Sequence, residues 1–214
     1  NSDLGPEESE GHEFGVRGTT ENGSWSVAVY DNDYKDFIES ASTGFTPTGL
    51  LRFEFQNLES VNIKGVEFQS SFDINENLAA TFGVNSSSGK QKSAKLTTID
   101  PDQAILGLLW SSPSGKLTLD TYIKATDEGP QGLPPSCGRS GCVKALELSG
   151  HVLLETYLGY EINENLSLRL GIRNMTDEKY WDWTSVAGTS ETASELDYFL
   201  NPGRNYSLSF KLTF

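Results

Sequence analysis

The residues best suited to chemistry in this sequence are its two histidines and two cysteines. His12 and His151 lie far apart, and neither stands at the spacing from a cysteine that zinc sites use. The sequence contains neither a glycine-rich phosphate loop nor the G-x-S-x-G motif of serine hydrolases. Serine and aspartate are abundant, but they lie in predicted turns and on the polar side of predicted strands. The sequence therefore predicts no catalytic residue, no metal site and no enzymatic activity.

Cys137 and Cys142 flank the glycine-rich bend 138–141 in the longest predicted connection. A redox pair would normally have the spacing C-x-x-C, whereas two cysteines around such a bend most simply form a local disulfide in an exported protein. A ring of this size stabilises a folded loop by roughly 2–3 kcal/mol through chain entropy. The pair therefore predicts a disulfide in a loop that is exposed to an oxidising compartment.

Alternation of apolar and polar residues predicts the elements that carry these loops. In the last segment Tyr206, Phe210 and Phe214 lie on one face and polar residues lie on the other. The same period of two recurs upstream, although the apolar phase shifts at Gly65, which predicts a β-bulge there. The predicted strands are 13–20, 25–38, 51–74, 78–84, 104–110, 117–123, 152–162, 166–172 and 204–214.

The connections between these strands alternate between short and long. The short ones lie near 21–24, 75–77, 113–116 and 163–165, and the long ones near 39–50, 88–101, 127–149 and 181–200. An antiparallel transmembrane β-barrel has this layout, with short periplasmic turns and long extracellular loops. A soluble β-sandwich of the Greek-key or jelly-roll kind, such as an adhesin, is the alternative, but it would mix its connection lengths.

The number of strands suggests that this barrel has further parts. An odd number of strands places its two ends on opposite sides of a membrane, and it leaves two unpaired edges that lipid does not tolerate. The sequence also opens without the basic start and apolar core of a signal peptide. We therefore expect residues 1–214 to form about nine strands at the C-terminus of a larger barrel.

Composition agrees with a barrel and excludes some other classes. The 214 residues carry a net charge of −14, which argues against a nucleic-acid partner because phosphate-binding surfaces need clustered Lys and Arg. Apolar residues make up 36% of the chain, and no apolar run is long enough for a membrane-spanning helix. In a barrel only every second residue of a strand faces lipid, so the mean hydropathy of −0.41 is compatible with one.

Several motifs resemble those of TonB-dependent receptors. Residues 1–7 (NSDLGPE) followed by 13–17 (EFGVR) resemble the segment N-P-[ND]-L-x-P-E…E-x-G-x-R of that family, with Ser2 in place of the usual proline. Residues 63–67 (IKGVE) and 170–180 (LGIRNMTDEKY) resemble two further strands of the family.

The C-terminal motifs resemble one subgroup of this family. Residues 180–183 (YWDW) and 202–206 (PGRNY) are similar to the ends of haem, haemoglobin and transferrin receptors. Tyr206, Phe210 and Phe214 resemble the C-terminal signal that the outer-membrane assembly machinery recognises.

The resemblance implies a 22-stranded barrel in the Gram-negative outer membrane, closed by an N-terminal plug that this sequence lacks, as it lacks the TonB box. It implies uptake of haem iron as a transported ligand, not a covalently bound cofactor, from a host haem protein. The implied partners are lipid and lipopolysaccharide, the assembly machinery, and the TonB complex through the missing N-terminal part. A receptor for a siderophore or for cobalamin is the alternative within the family. The family's loop histidine would precede Asn1, so no haem ligand is transferred to this sequence.

The remaining candidates for ligand binding are aromatic residues and one histidine. Trp181, Trp183, Tyr198 and Phe199 share the connection 181–200 with several acidic residues. Exposed aromatic residues often anchor a partner, whereas the alternative is an aromatic girdle at the membrane surface. His12 precedes the first strand, where an exposed imidazole could ligate haem iron or could be an ordinary surface histidine. The extracellular candidates are therefore His12, Trp183, Tyr198 and Phe199.

Overall fold

A computed structural model describes residues 3–45, 51–91, 94–131, 136–138 and 141–214 of the chain. The described part is almost entirely antiparallel β-structure. Its strands are β1 (Glu8–Thr20), β2 (Gly23–Phe45), β3 (Leu51–Asn75), β4 (Leu78–Gln91), β5 (Ala94–Lys95), β6 (Gln103–Ser111), β7 (Leu117–Thr126), β8 (Ser136–Gly138), β9 (Gly141–Val143), β10 (His151–Asn163), β11 (Leu166–Arg173) and β12 (Asn205–Leu212). A single-turn helix α1 (Trp183–Val186) and a short 3₁₀ helix (Leu196–Phe199) lie between β11 and β12.

Nine of these strands form one sheet in the order β1-β2-β3-β4-β6-β7-β10-β11-β12, and β5 extends β4 at its side. Each long strand pairs with its neighbours in the chain, as expected for a meander joined by hairpins. The nine predicted strands and their four short turns are therefore confirmed for the part of the chain that is described. Within that part the sheet is open, since β1 and β12 each pair on one side only.

The predicted long connection at 39–50 is wrong in most of its extent. Strands β2 and β3 run for 23 and 25 residues, so they stay paired well beyond Ile38, and 46–50 lie outside the described residues. Apolar alternation stops after Ile38 because it reports only where one face meets an apolar environment. Backbone pairing needs no such face, and it continues without one.

The predicted β-bulge at Gly65 is also wrong. Gly65 lies opposite Tyr30 on one side and Ser87 on the other, and neither register shifts there. A methyl group at this position would lie 2.5 Å from the Tyr30 hydroxyl oxygen, so glycine makes room for a neighbouring ring. The apolar residues of β3 change face at this point while the backbone pairing does not.

The register sorts the side chains into two faces. One apolar row crosses seven strands, and its members are Val16, Val27, Phe68, Val84, Ala104, Ala125 and Val152. A second row crosses six strands, and its members are Leu78, Trp110, Leu119, Leu158, Leu170 and Leu208. We call the face with these rows the apolar face and the opposite one the polar face.

No second layer covers the apolar face in the described part of the chain. Phe14, Tyr206 and Phe210 are 69%, 66% and 66% exposed, and the other described sheet is only the β8–β9 hairpin. A soluble sandwich would bury these rows against a facing sheet. The alternative of a soluble sandwich is therefore wrong. No helix in the described residues has the length and apolar character that crossing a membrane requires.

Candidate functional site

Three long connections meet beyond the ends of β6, β7, β10 and β11 and form a folded body that we call the cap (residues 96–102, 127–131, 144–150 and 174–204). Leu146 N–H donates to the Thr189 carbonyl at 2.8 Å, and Gly129 N–H donates to the Leu148 carbonyl at 3.0 Å. The Trp183 indole N–H donates to the Thr97 carbonyl at 2.7 Å, which ties the last connection to the first. These bonds fix the connections to one another.

The cap has a small apolar core of its own. Leu148, Trp183 and Val186 are buried in it, and Leu146, Trp181 and Leu196 pack against them. The Trp181 indole N–H donates to the Leu196 carbonyl at 2.9 Å, so α1 and the 3₁₀ helix hold together. Burial of these side chains supplies the stability that isolated loops of this length would lack.

The segment 195–199 of the cap, which we call the ridge, exposes four of its five residues. Tyr198 is 88% exposed, and Phe199 is exposed beside it. Glu195 and Asp197 are exposed in the same segment, so the ridge combines aromatic rings with negative charge. Such a surface suits a partner that offers an apolar recess and positive charge.

A small, partly open cavity lies between the cap and the sheet, and His151 borders it together with Trp181 and Trp183. Its volume is about 110 Å³, whereas cofactor-sized ligands occupy pockets of about 300–1,000 Å³. The His151 ring stacks on the Tyr180 ring with centroids 4.5 Å apart. Burial raises the pKa of the Tyr180 phenol, so this ring stays neutral at neutral pH. The stacked His151 and Tyr180 rings therefore hold the cap on the sheet, and the cavity beside them has no room for haem.

The polar face carries a second polar assembly, the wall cluster of Asp120, Glu155, Tyr157, Arg169 and Arg173. The Arg169 guanidinium donates to Asp120 Oδ2 at 3.1 Å and lies 5.0 Å from the centre of the Tyr157 ring. The Tyr157 hydroxyl donates to Glu155 Oε2 at 2.7 Å and accepts from Arg173 Nε at 3.2 Å. Positive and negative groups thus share one wall on β7, β10 and β11, which can bind a charged surface or solute.

The candidate residues do not come together in one place. His12 lies on β1, at the opposite edge of the sheet from β12, and it shares the apolar face with Phe14 and Val16. Tyr198 and Phe199 lie on the cap, as a role in contacting a partner requires.

Trp183 needs a correction, because the structure buries it. It is 3% exposed in the cap core, so it supports the ridge and offers no surface to a ligand. Trp181 packs against the same core. The burial of Trp183 also contradicts an aromatic girdle for that residue, whereas for the half-buried Trp181 that alternative stays a prediction.

Tyr206 and Phe210 lie exposed on the apolar face of β12, and Phe214 is fully exposed at the chain end. Their predicted role in assembly stays a prediction. The β8–β9 hairpin places Cys137 directly opposite Cys142, and none of the described cysteines is free. The side chain of Cys137 lies outside the described residues.

Other contributors to the site were not predicted from the sequence. The wall cluster was not singled out, although its members occupy the polar positions of β7, β10 and β11 and alternation could have grouped them. The cap core was missed because Leu148 and Val186 lie in segments without any period. Among the described residues, no group of three or more His, Cys, Asp or Glu side chains could hold a metal ion.

Comparison with known proteins identifies the sheet. A family model described as "TonB dependent receptor-like, beta-barrel" matches residues 1–175. The chain is 25% identical to the probable hemoglobin and hemoglobin-haptoglobin-binding protein 4 of Haemophilus influenzae, over all of this chain and 25% of that protein. It is 24% identical to transferrin-binding protein A of Neisseria meningitidis serogroup B, over 99% of this chain and 27% of that protein. The chain thus spans about a quarter of the length of these relatives.

Solved structures share the fold at lower identity. The copper transporter OprC superposes with a TM-score of 0.81 at 18% identity, covering 100% of this chain and 32% of that one. The siderophore receptor PirA from Acinetobacter baumannii superposes with a TM-score of 0.73 at 20% identity, covering 100% and 33%. The chain therefore corresponds to about a third of the length of each of these two proteins.

Proposed function

Because the chain belongs to the TonB-dependent receptor β-barrel family, we propose that it is the C-terminal part of an outer-membrane receptor that takes up haem iron from a haemoglobin-like carrier protein. The observation that carries this proposal is the similarity over the whole chain to proteins named for binding haemoglobin, haemoglobin–haptoglobin and transferrin. All of these names refer to iron-carrying host proteins. Their shared feature is a protein partner, and an exposed ridge suits such a partner better than a cavity of about 110 Å³ does.

In this proposal the two faces of the sheet have different solvents. The apolar face meets lipid and the polar face lines the barrel interior, since lipid-facing and lumen-facing residues alternate in such strands. The short turns then lie in the periplasm, and the cap lies outside the cell. Lipopolysaccharide would border the outer ends of the strands. Further strands outside this sequence would pair with β1 and β12 and remove the open edges, and a plug would fill the barrel.

The proposed mechanism is binding followed by gated passage, without chemistry on the ligand. The ridge, with Tyr198 and Phe199, makes first contact with the carrier protein. The wall cluster then lines part of the route or of the surface on which a plug rests. Energy would come from the TonB complex, which would engage the plug end of the complete receptor. The assembly machinery would recognise Tyr206, Phe210 and Phe214.

We assign the ridge to contact with the carrier protein and not to ligation of iron. His12 lies on the face that would meet lipid or lipopolysaccharide, so it is a poor candidate for a haem ligand. His151 is engaged with Tyr180 beside a cavity of about 110 Å³. The disulfide between Cys137 and Cys142 belongs to this proposal as a brace of the loop 127–149.

The test is growth of an iron-starved strain that has the complete receptor as its sole route for iron. We expect growth on haemoglobin, and slow growth when Tyr198 and Phe199 are both replaced by serine. Glu164→Ala, in the exposed turn between β10 and β11 at the far end of these strands from the ridge, is the control and should leave growth unchanged. A receptor that supports growth on a ferric siderophore and not on haemoglobin would contradict the proposal. That result would favour the alternative suggested by the siderophore receptors among the structural neighbours.

A further inference from the structure

The last long connection, 174–204, closes at its base through side chains. Strands β11 and β12 pair as far as Arg173 and Asn205. Directly beyond this pair, the Asn174 amide N–H donates to the Glu178 carbonyl at 2.9 Å and to the Pro202 carbonyl at 3.3 Å. Asn174 Oδ1 accepts the Glu178 backbone N–H at 2.8 Å. One buried side chain, 3% exposed, thus joins both ends of the connection.

Asp177 makes a second closure. Its Oδ1 accepts the backbone N–H of Arg204 at 2.7 Å, and its own N–H donates to the Asn174 carbonyl at 3.0 Å. One step further along, Asn201 N–H donates to the Tyr180 carbonyl at 3.1 Å. We call this group, Asn174, Asp177, Tyr180 and 201–204, the neck.

The backbone of the neck selects for these residue types. Asn174 and Asp177 have φ values of +48° and +57°, in the left-handed region. Among residues with a side chain, Asn and Asp enter this region most readily. At Gly203 a methyl group would lie 2.5 Å from Asp177 Oδ1, so the close approach requires glycine.

The neck also fixes the direction in which the connection leaves the sheet. Met175 N–H donates to the Leu154 carbonyl of β10 at 2.8 Å, and the Tyr180 ring lies on the His151 ring. The chain therefore stays attached to β10 for a short distance beyond the end of β11. Further along, Trp183 packs on Leu148 and its indole N–H reaches the Thr97 carbonyl.

We infer that Asn174 and Asp177 are positioning residues: they close the neck and thereby hold the ridge in the orientation that binds the carrier protein. They act through the backbone of 175–204 and do not touch the partner. The inference rests on the proposed function for its binding readout, but closure of the neck can be tested without it.

The principal variants are Asn174→Ala and Asp177→Ala in the complete receptor on intact cells. Asn174→Ala removes three hydrogen bonds and leaves part-buried backbone groups of Glu178 and Pro202 without these partners, so the neck should open more often. We expect haemoglobin to bind about tenfold more weakly or worse, and proteinase K to cleave within 181–200 about tenfold faster. Receptor at the cell surface, quantified with an antibody to an epitope outside 174–204, should remain normal.

Conservative variants and a control sharpen the test. Asp177→Asn keeps an oxygen for the Arg204 N–H, so it should restore most binding and most protection. Asn174→Asp keeps the acceptor oxygen and loses both donor bonds. Its haemoglobin affinity and its rate of proteolysis should therefore lie between those of the wild type and Asn174→Ala. Glu164→Ala, in the exposed turn at the other end of β10 and β11, should change neither readout.

A double-mutant cycle separates positioning from direct contact. When Tyr198 and Phe199 are both serine, Asn174→Ala should weaken binding little further, since both changes act through the ridge. Full additivity of the two losses would overturn the inference. So would lost binding with unchanged proteolysis, or faster proteolysis with unchanged binding. Should the wild type bind no haemoglobin, the proposed function fails, and the proteolysis of Asn174→Ala still decides whether the neck closes the connection.

Discussion

Replacing Trp183 with alanine is expected to open the cap while the sheet keeps its pairing. Trp183 is one of three buried residues in the cap core, and its indole N–H bonds the Thr97 carbonyl at 2.7 Å. Truncating a buried Trp to Ala costs about 3–5 kcal/mol. Leu148 and Val186 are the other two buried residues of this core, so their packing is too small to offset a loss of this size.

The size of this energetic cost sets how often the cap of the variant should open. About 1.4 kcal/mol changes an equilibrium constant tenfold, so the open population of the cap should rise by roughly a hundredfold or more. Trp183→Phe keeps most of the packing and loses the hydrogen bond, and it should raise the open population only about tenfold. The two variants thus separate packing from hydrogen bonding.

The measurement is hydrogen–deuterium exchange of the detergent-solubilised receptor, read by mass spectrometry for peptides within 144–150 and 181–200. Trp110→Ala, on the apolar face of β6, is the matched control and should leave these peptides protected. If Trp183→Ala exchanges like the wild type in both segments, the cap does not depend on this core, and the reasoning from burial is refuted. Peptides of β10 and β11 report whether the sheet is intact.

The remaining predictions concern the sheet and the loop 127–149. Deleting Phe214 should lower the amount of receptor inserted in the outer membrane, and normal surface levels would count against its role in assembly. Gly18→Ala should destabilise the barrel by about 1–3 kcal/mol, because a methyl group there would lie 2.8 Å from the Trp25 ring. The measurement is the temperature at which the barrel unfolds, read by gel electrophoresis in the cold after stepwise heating of the samples. Adding Trp25→Ala should recover part of the lost stability, and strict additivity of the two stability changes would show that the ring is not the cause. Alkylation without a reductant should label neither Cys137 nor Cys142, and labelling of both would exclude the disulfide.

The strands could be predicted from the sequence because each has one face that meets an apolar environment. Leu208, Phe210 and Leu212 report this environment at every second residue, and the structure keeps that phase. Alternation predicted a β-bulge wrongly at Gly65, where the apolar residues move to the other face of the strand while the pairing register stays unchanged. It failed again beyond Ile38, where pairing continues without an apolar face.

The cap could not be predicted, because nothing periodic marks it. Its core forms from Leu148 and Val186, which lie on different connections far apart in the sequence. Trp183 illustrates the difficulty, since an aromatic residue in a loop can face a partner or fill a core, and composition does not distinguish the two. Asn174 and Asp177 carried a better signal, because both residue types suit positive φ and stand at a strand end.

The sheet and the cap are stabilised in different ways, and this difference bears on ligand selection. The sheet is held by backbone pairing and by apolar rows, and a copper transporter and a siderophore receptor share its fold. Features that serve such different solutes equally well cannot select among them. Under the proposed function we therefore assign ligand selection to the ridge and to the neck that orients it, since both lie outside the strands. Exchanging the cap between receptors, with the neck kept intact, is accordingly the change that should carry specificity with it.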